Sequence, residues 1–311
     1  MFEVVNFDSW KVYDGASEGS GRSEKVWLIS ETGEIGLFKY PKIDDKTGKT
    51  TSEHISEHLA HQLGNILKIP TARVDIGVRD GRIGSMSYLV VNTERESLIE
   101  GVGFICRKRP KYNSNTMRDE ETDTFYCIDD IFNSVPDVVP DDVLIKMILF
   151  DFLIGNADRH QNNWALIQMK ETKEFDDPLN YRFCPLYDNG SSLCSYVNDN
   201  QVETYLGKDT LRFDALVDSK SRSMIRIDGS KKALPKHKEV AQYLIRKYSE
   251  AETAAKEFID GLNEEKIDSL MDQYPTEILS QSKNLLIRKY LLRKLELLKS
   301  LLDSEDNSYE R

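Results

Sequence analysis

The chain has 311 residues, 39% of them apolar and 31% charged, which is enough for one large domain or two lobes with a buried core. Its 42 basic residues against 53 acidic ones leave a net charge of −11, which argues against general nucleic-acid binding. No apolar run approaches the roughly 20 residues that span a bilayer, and "MFEVVNFDSWKVYD" has no signal-peptide pattern, so the expectation is a cytoplasmic protein with no stable membrane insertion.

Strands come first. "KVWLIS" (25–30) and "EIGLFKY" (34–40) flank a turn-type "ETG". "SEHISEHLAHQLGNILKI" (52–69) places Ile55, Leu59, Leu63 and Ile66 at helical spacing, with Ser52 as N-cap. His54, His58 and His61 share this helix at i, i+4 and i+7; a partly exposed face is expected ahead of a metal site. Residues 72–92 form two strands around Asp80-Gly81, a hairpin signal. Polar material from 93 to 124 breaks the pattern, which puts a join between lobes near Val91 to Ser97.

Helices dominate the remainder. The segment 140–156 opens with Pro140 and two acids and is apolar nearly all round, as a central buried helix would be. Segments 238–262, 264–274 and 276–303 follow, broken at Gly261 and Pro275, with a disordered tail beyond. The division expected is a β-rich N-lobe over 1–95, a helical C-lobe over 96–304 and a tail over 305–311. Basic islands at 106–118 and 219–238 read as solvated loop charge ahead of a docking patch. Cys106, Cys127, Cys184 and Cys194 show no C-x-x-C spacing and are expected as free thiols.

The chemistry concentrates in "FDFLIGNADRHQNNWALIQ" (150–168), where an apolar run stops at Gly155-Asn156 and resumes at Trp164 after a polar island. Asp158 and Asn163 stand five residues apart in a loop pinned at both ends, so that one can accept a proton while the other coordinates a cation. In "FCPLYDNGSSL", Asp188 ends an apolar strand before Asn189-Gly190, a way to present a carboxylate to a metal. Gly15, Gly19 and Gly21 lie between candidate strands, where glycine lets backbone N–H groups approach phosphate oxygens. Lys39 interrupts an apolar strand and needs a negative partner; Glu57 on the helix is the natural one. Each feature has a plain alternative, since Asp and Asn form turns readily and a strand lysine can snorkel. The whole set in one order is harder to dismiss. Asp151 reads as a structural acid bonded to loop backbone, and Trp164 as core.

A glycine-rich loop, strand lysine, helix glutamate, D-x-x-x-x-N loop and later metal aspartate occur in the order of the protein-kinase-like fold. "DRHQNN" looks like the D-R-H-x-x-N of phosphatidylinositol kinases. "GSGRSEK", "LFKYP", "SEHLA", "GNADRHQNNWAL" and "PLYDNGSSL" together resemble the HipA-like toxin kinases far more closely, over about residues 13 to 195. The likeness is to short members without the extra N-terminal domain, of the cell-translocating serine/threonine kinase type.

That resemblance implies an α+β, two-lobed protein-kinase-like fold, ATP and Mg²⁺ as cofactors, and a protein Ser/Thr hydroxyl as acceptor. Asp158 would orient or deprotonate that hydroxyl, and Asn163 and Asp188 would hold Mg²⁺. Gly15, Gly19, Gly21 and Ser23, with Lys39 positioned by Glu57, would hold ATP. Arg159 and His160 could each touch the transferring phosphate or brace the loop. Ser17, Ser20 or Ser23 would be a site of autophosphorylation, and an antitoxin-like regulator is a partner the family suggests. Asn189 stands where D-F-G has its aromatic residue and no A-P-E follows, which puts the usual activation-loop regulation in doubt. A lipid or small-molecule kinase and a nucleotide-binding pseudokinase are the alternatives. The first lacks a long basic amphipathic face; the second would be expected to have lost its lysine, base or metal acid.

Overall fold

The computed structural model describes residues 2–15, 24–43, 48–170 and 180–309, with side chains through Ser304. Short strands β1 (Val5–Asn6) and β2 (Lys11–Val12) precede β3 (Lys25–Ile29) and β4 (Ile35–Lys39). Helix α1 (Glu53–Leu67) follows, then the hairpin β5 (Val74–Arg79) and β6 (Arg82–Tyr88). Its turn residues Asp80 and Gly81 have φ of +51° and +70°, the left-handed geometry that suits a two-residue hairpin loop. These strands form one sheet in the order β1-β5-β6-β4-β3-β2. The β1–β5 pairing is parallel and two residues long, too short to leave a periodic signal in sequence.

Ile55, Leu59 and Leu63 bury the inner face of α1, as their spacing predicts. Ser52 occupies the N-cap position, but its hydroxyl donates to the Ser195 carbonyl (3.2 Å), so it ties the helix to the other lobe. Two of the histidines differ from expectation. His54 and His58 are buried, His58 Nδ1 lies 2.7 Å from the Tyr274 hydroxyl, and His61 Nδ1 lies 3.0 Å from Thr71 Oγ1. The face expected to be partly exposed is thus buried at His54 and His58, while His61 keeps the partial exposure expected. Among the described residues no cluster of three or more His, Cys, Asp or Glu could hold a metal ion.

Beyond this layer come β7 (Glu96–Glu100), α2 (Gly101–Lys108), β8 (Tyr112–Asn113), β9 (Arg118–Asp119), α3 (Ile128–Phe132) and α4 (Asp141–Ile154). β10 (Ala165–Met169) and β11 (Tyr181–Phe183) complete a second sheet, ordered β11-β10-β7, which the polar composition around β7 conceals. Helices α5 (Asp199–Leu206), α6 (Leu211–Asp214), α7 (His237–Lys247), α8 (Ser249–Gly261), α9 (Glu264–Met271) and α10 (Gln281–Tyr309) build the remainder, with a π-helical turn at Ala215–Ser219. The segment expected as one helix over 238–262 breaks at Tyr248, whose backbone turns extended while its ring stacks on Phe132, 5.2 Å between centroids. The final helix runs to Tyr309, past the expected start of a disordered tail.

Helix α4 is the axis of the larger lobe: from Met147 to Ile154 every residue is buried, and Gly155 ends it at φ +67°. The architecture is α+β and two-lobed. All four cysteines are free thiols. No helix among the described residues is long and apolar enough to cross a membrane.

Candidate active site

Strand β4 delivers Lys39 to the seam between lobes, where its ammonium lies 2.9 Å from Glu57 Oε1 on α1 and 2.8 Å from Asp188 Oδ1. Burial works to lower the Lys39 pKa, but the carboxylates of Asp188 and Glu57 outweigh it and hold the ammonium above the usual lysine range. Lys39 in turn keeps Asp188 well below the usual carboxylate range, against the effect of burial. Glu57 shifts the other way: it is almost wholly buried, and desolvation pushes its carboxyl up despite the attraction of Lys39. The two acids that share Lys39 are thus pushed in opposite directions, Asp188 down and Glu57 up.

Asp188 follows β11 on a segment whose main chain is tied to the first lobe. Leu186 N–H donates to Pro70 O (2.9 Å), and Ala72 N–H to Leu186 O (2.8 Å). Asp188 itself adopts a left-handed φ of +57°. Ser56 on α1 donates to the Ser192 carbonyl (3.0 Å), which ties the helix carrying Glu57 to the segment that follows Asp188.

The D-x-x-x-x-N loop begins where Gly155 ends α4. Asn156 Oδ1 accepts the Asp158 N–H at 3.1 Å, and Asn163 Nδ2 donates to the Asp158 carbonyl at 2.7 Å. Asp158 is therefore held from both sides by asparagine amides. With its Nδ2 so engaged, Asn163 has Oδ1 left as a free acceptor, and the residue lines the cleft together with Asp188 and Lys39. Burial raises the Asp158 carboxyl above its ordinary pKa; His160 opposes and the charge of Asp188 adds. A carboxylate moved toward neutrality is better matched to taking a proton from a hydroxyl.

The cleft has two compartments that share Lys39, His160 and Asp188. One, about 300 Å³, is walled by Trp27, Leu37, Leu89, Val90 and Leu98, a shape and polarity suited to a flat aromatic base. The other, about 710 Å³, is polar and holds Asp158 with Lys42, Glu53, His54 and Arg82. Lys42 and Glu53 pair at 2.9 Å at its rim. Neither stood out in sequence, although a second lysine three residues after Lys39 was a signal available to read. A separate surface hollow of about 440 Å³ lies against α2 and α3, where Arg109 is already paired with Asp119 and Asp130.

Arg159 stands apart from the other members of the expected catalytic set. Its side chain is 1% exposed and turned away from the cleft: all its guanidinium nitrogens are engaged, on both oxygens of Asp151, the carbonyls of Asn163 and Tyr187, and Asn189 Oδ1. Burial as an ion is tolerable only with such a complete set of acceptors, and these bonds brace the loop from behind. Asp151 accordingly bonds the Arg159 side chain and Asn156 Nδ2, in place of the expected loop backbone. Asn189 is explained by the same clamp. His160, by contrast, lines both compartments. Gly15 packs against the Tyr13 ring. Gly19, Gly21 and Ser23 lie outside the described residues.

No family model matches the chain. The serine/threonine-protein kinase CtkA of Helicobacter pylori is 24% identical over 247 residues, which are 74% of this chain and 68% of the relative. The crystal structure of the Helicobacter pylori proinflammatory kinase CtkA superposes with a TM-score of 0.78 at 17% identity, covering 96% of this chain and 99% of that one. The chain is thus similar in sequence to this serine/threonine-protein kinase and shares its fold. HipA of Shewanella oneidensis, solved in complex with HipB and operator DNA, superposes with a TM-score of 0.54 at 14% identity over 94% of this chain and 68% of that chain. Both lobes therefore follow the fold that these two structures share.

Proposed function

We propose that the chain transfers the γ-phosphoryl group of ATP to a serine or threonine hydroxyl on protein, with Mg²⁺ as the metal. The observation that carries this reading is the convergence of Lys39, Asp158, Asn163 and Asp188 on one cleft from three separate stretches of sequence. An ionised carboxylate and an amide oxygen are the hard oxygen donors that suit Mg²⁺, which supplies charge neutralisation at the phosphates when bound. Lys39, oriented by Glu57, places a permanent cation where phosphate oxygens would lie. The apolar compartment takes the base. Asp158, fixed by Asn156 and Asn163, accepts the proton of the incoming hydroxyl from the polar compartment. These residues work by positioning and by charge, the means that phosphoryl transfer mostly requires.

Ser17, Ser20 and Ser23 are the self-phosphorylation candidates under this reading, and mass spectrometry after incubation with Mg-ATP identifies the modified one. An antitoxin-like protein that docks on the folded kinase is the regulator the HipA-like relationship suggests. The deciding experiment supplies γ-labelled ATP and Mg²⁺ to the purified chain and follows label into the chain itself, a basic protein and lipid vesicles. Label on serine or threonine supports the reading, and label on lipid alone replaces it. Mg-ATP binding with no transfer makes the chain a nucleotide-binding pseudokinase.

A further inference from the structure

The basic island 219–238 has no part in the cleft, yet the structure folds it against the back of the catalytic loop. Ser223 N–H donates to Pro235 O and His237 N–H to Ser221 O, both at 3.0 Å, closing the island into a narrow loop. Ser221 and His237 point inward from it and are buried. His237 Nε2 lies 2.9 Å from the Asn156 carbonyl, and its Nδ1 lies 2.9 Å from Ser221 Oγ.

The direction of this chain follows from chemistry. A carbonyl can only accept, so Nε2 carries the imidazole proton. Nδ1 then offers a lone pair, so the Ser221 hydroxyl donates to it. That hydroxyl's own lone pair accepts from Lys294 Nζ at 2.9 Å. Lys294 is 1% exposed on α10 and packs over the rings of Phe152 and Tyr290. The relay therefore runs from Lys294 through Ser221 and His237 to Asn156. At Asn156 it meets the groups that matter: Oδ1 accepts the Asp158 N–H, and Nδ2 donates to Asp151 at 3.0 Å.

We infer that His237 is a positioning residue for phosphoryl transfer, its Nε2–H fixing Asn156 and, through Asn156, the backbone that aims Asp158. The role rests on the kinase reading above. It lies outside the D-x-x-x-x-N loop by some seventy residues of sequence, and the loop's own motif does not contain it. Asn156 is the joint because it bonds on three sides at once, to α4 through Asp151, to Asp158, and to His237.

The test compares His237→Gln with His237→Leu in the full chain. Glutamine Nε2 sits as many bonds from Cβ as imidazole Nε2, so it restores the donor to Asn156; leucine fills the volume without it. His237→Leu is expected to lower kcat by roughly 10- to 100-fold, as small misplacements of a catalytic group do, with the Mg-ATP Kd from calorimetry unchanged and His237→Gln recovering most of the loss. Equal loss in both variants, an unaffected kcat in His237→Leu, or a parallel collapse of Kd and kcat overturns the inference. Imidazole ¹⁵N shifts of the wild-type chain give a readout that does not depend on activity, or on whether the leucine variant folds. A protonated Nε2 with a bare Nδ1 through the neutral range supports the relay, and the opposite tautomer or an imidazolium overturns it. Wild-type protein with the expected tautomer that transfers no phosphate defeats the kinase reading, and the positioning role falls with it.

Discussion

Alternate residues of one loop divide between two environments. Asp158 and His160 face the cleft, whereas Asn156, Arg159 and Gln161 are buried behind it. The front carries charges with few fixed partners: Asp158 has no ion pair within salt-bridge distance among the described residues, and Asp188 keeps nearly half its side chain exposed. The back has its polar atoms spoken for, with Arg159 alone bonding to four residues. Side chains that must exchange partners during a reaction cannot be tied down, so rigidity has to come from the main chain beneath them. The buried face supplies it.

The sharpest way to break this comparison is at the front. Asp188→Asn keeps the shape of the side chain and removes the charge that a metal and Lys39 both require. Transfer is expected to fall by more than the roughly 10²–10⁴ attributable to a positioned general base, and thermal stabilisation by nucleotide should no longer depend on Mg²⁺. Melting curves with ATP, with and without the metal, check this; a variant that retains the Mg²⁺ effect removes Asp188 from the metal site. Asp158→Ala should act on turnover alone, lowering kcat by roughly 10²–10⁴ while ATP affinity holds, because Asp158 lines the polar compartment and is absent from the apolar one proposed for the base. Calorimetry beside rate measurements separates the two quantities. If affinity and stability drop with turnover, Asp158 is a turn-former and the front-and-back distinction fails at its central residue.

At the back the expected signature reverses. Arg159→Met leaves Asp151 buried without its cation and strips hydrogen bonds from Asn163 O, Tyr187 O and Asn189. Breaking a buried pair in this way costs about 3–5 kcal/mol of stability, so the urea midpoint should shift strongly. Activity per folded molecule is the informative ratio. If the variant is as stable as wild type but inactive, Arg159 belongs to the front after all.

The front of the site was legible in sequence and the back was not, for a physical reason. Lys39, Glu57, Asp158, Asn163 and Asp188 are unusual where they stand, a lysine in an apolar strand or an acid before a turn, and their order matched a known pattern. Arg159 looked equally catalytic because it sits beside Asp158. Its burial depends on an acceptor set drawn from Asp151, Tyr187 and Asn189, which no local period announces. His237 was one more charge in a basic island until the fold brought it to Asn156. The fold follows the same rule. The β3–β4 pair, α1 and the Asp80-Gly81 hairpin are written in spacing of two or 3.6 and in turn chemistry. The break at Tyr248 depends on Phe132, more than a hundred residues earlier, and β7 is a strand because β10 lies beside it.

The smallest effect expected concerns the seam between lobes, and it is a dependence on pH. His58 is buried on α1 with Nδ1 2.7 Å from the Tyr274 hydroxyl and the Phe2 ring 4.5 Å away, edge-on. Burial pulls its pKa down from 6.5 to about 4, with Asp75 opposing. The unfolded chain therefore takes up a proton between about pH 6.5 and 4 that the folded chain refuses. Stability contributed by this site is complete above the upper limit and is lost as the pH falls through the window. His54, shifted down to about 4, and His237, shifted down to about 3, work in the same direction. His58→Asn retains a polar atom near Nδ1 but cannot titrate, so it should flatten the acid side of the stability curve by up to about 1.4 kcal/mol per pH unit. Urea midpoints measured from neutral pH down to about 4 provide the slope. An unchanged slope would mean that His58 is protonated in the folded protein, and that the seam tolerates a charge its burial argues against.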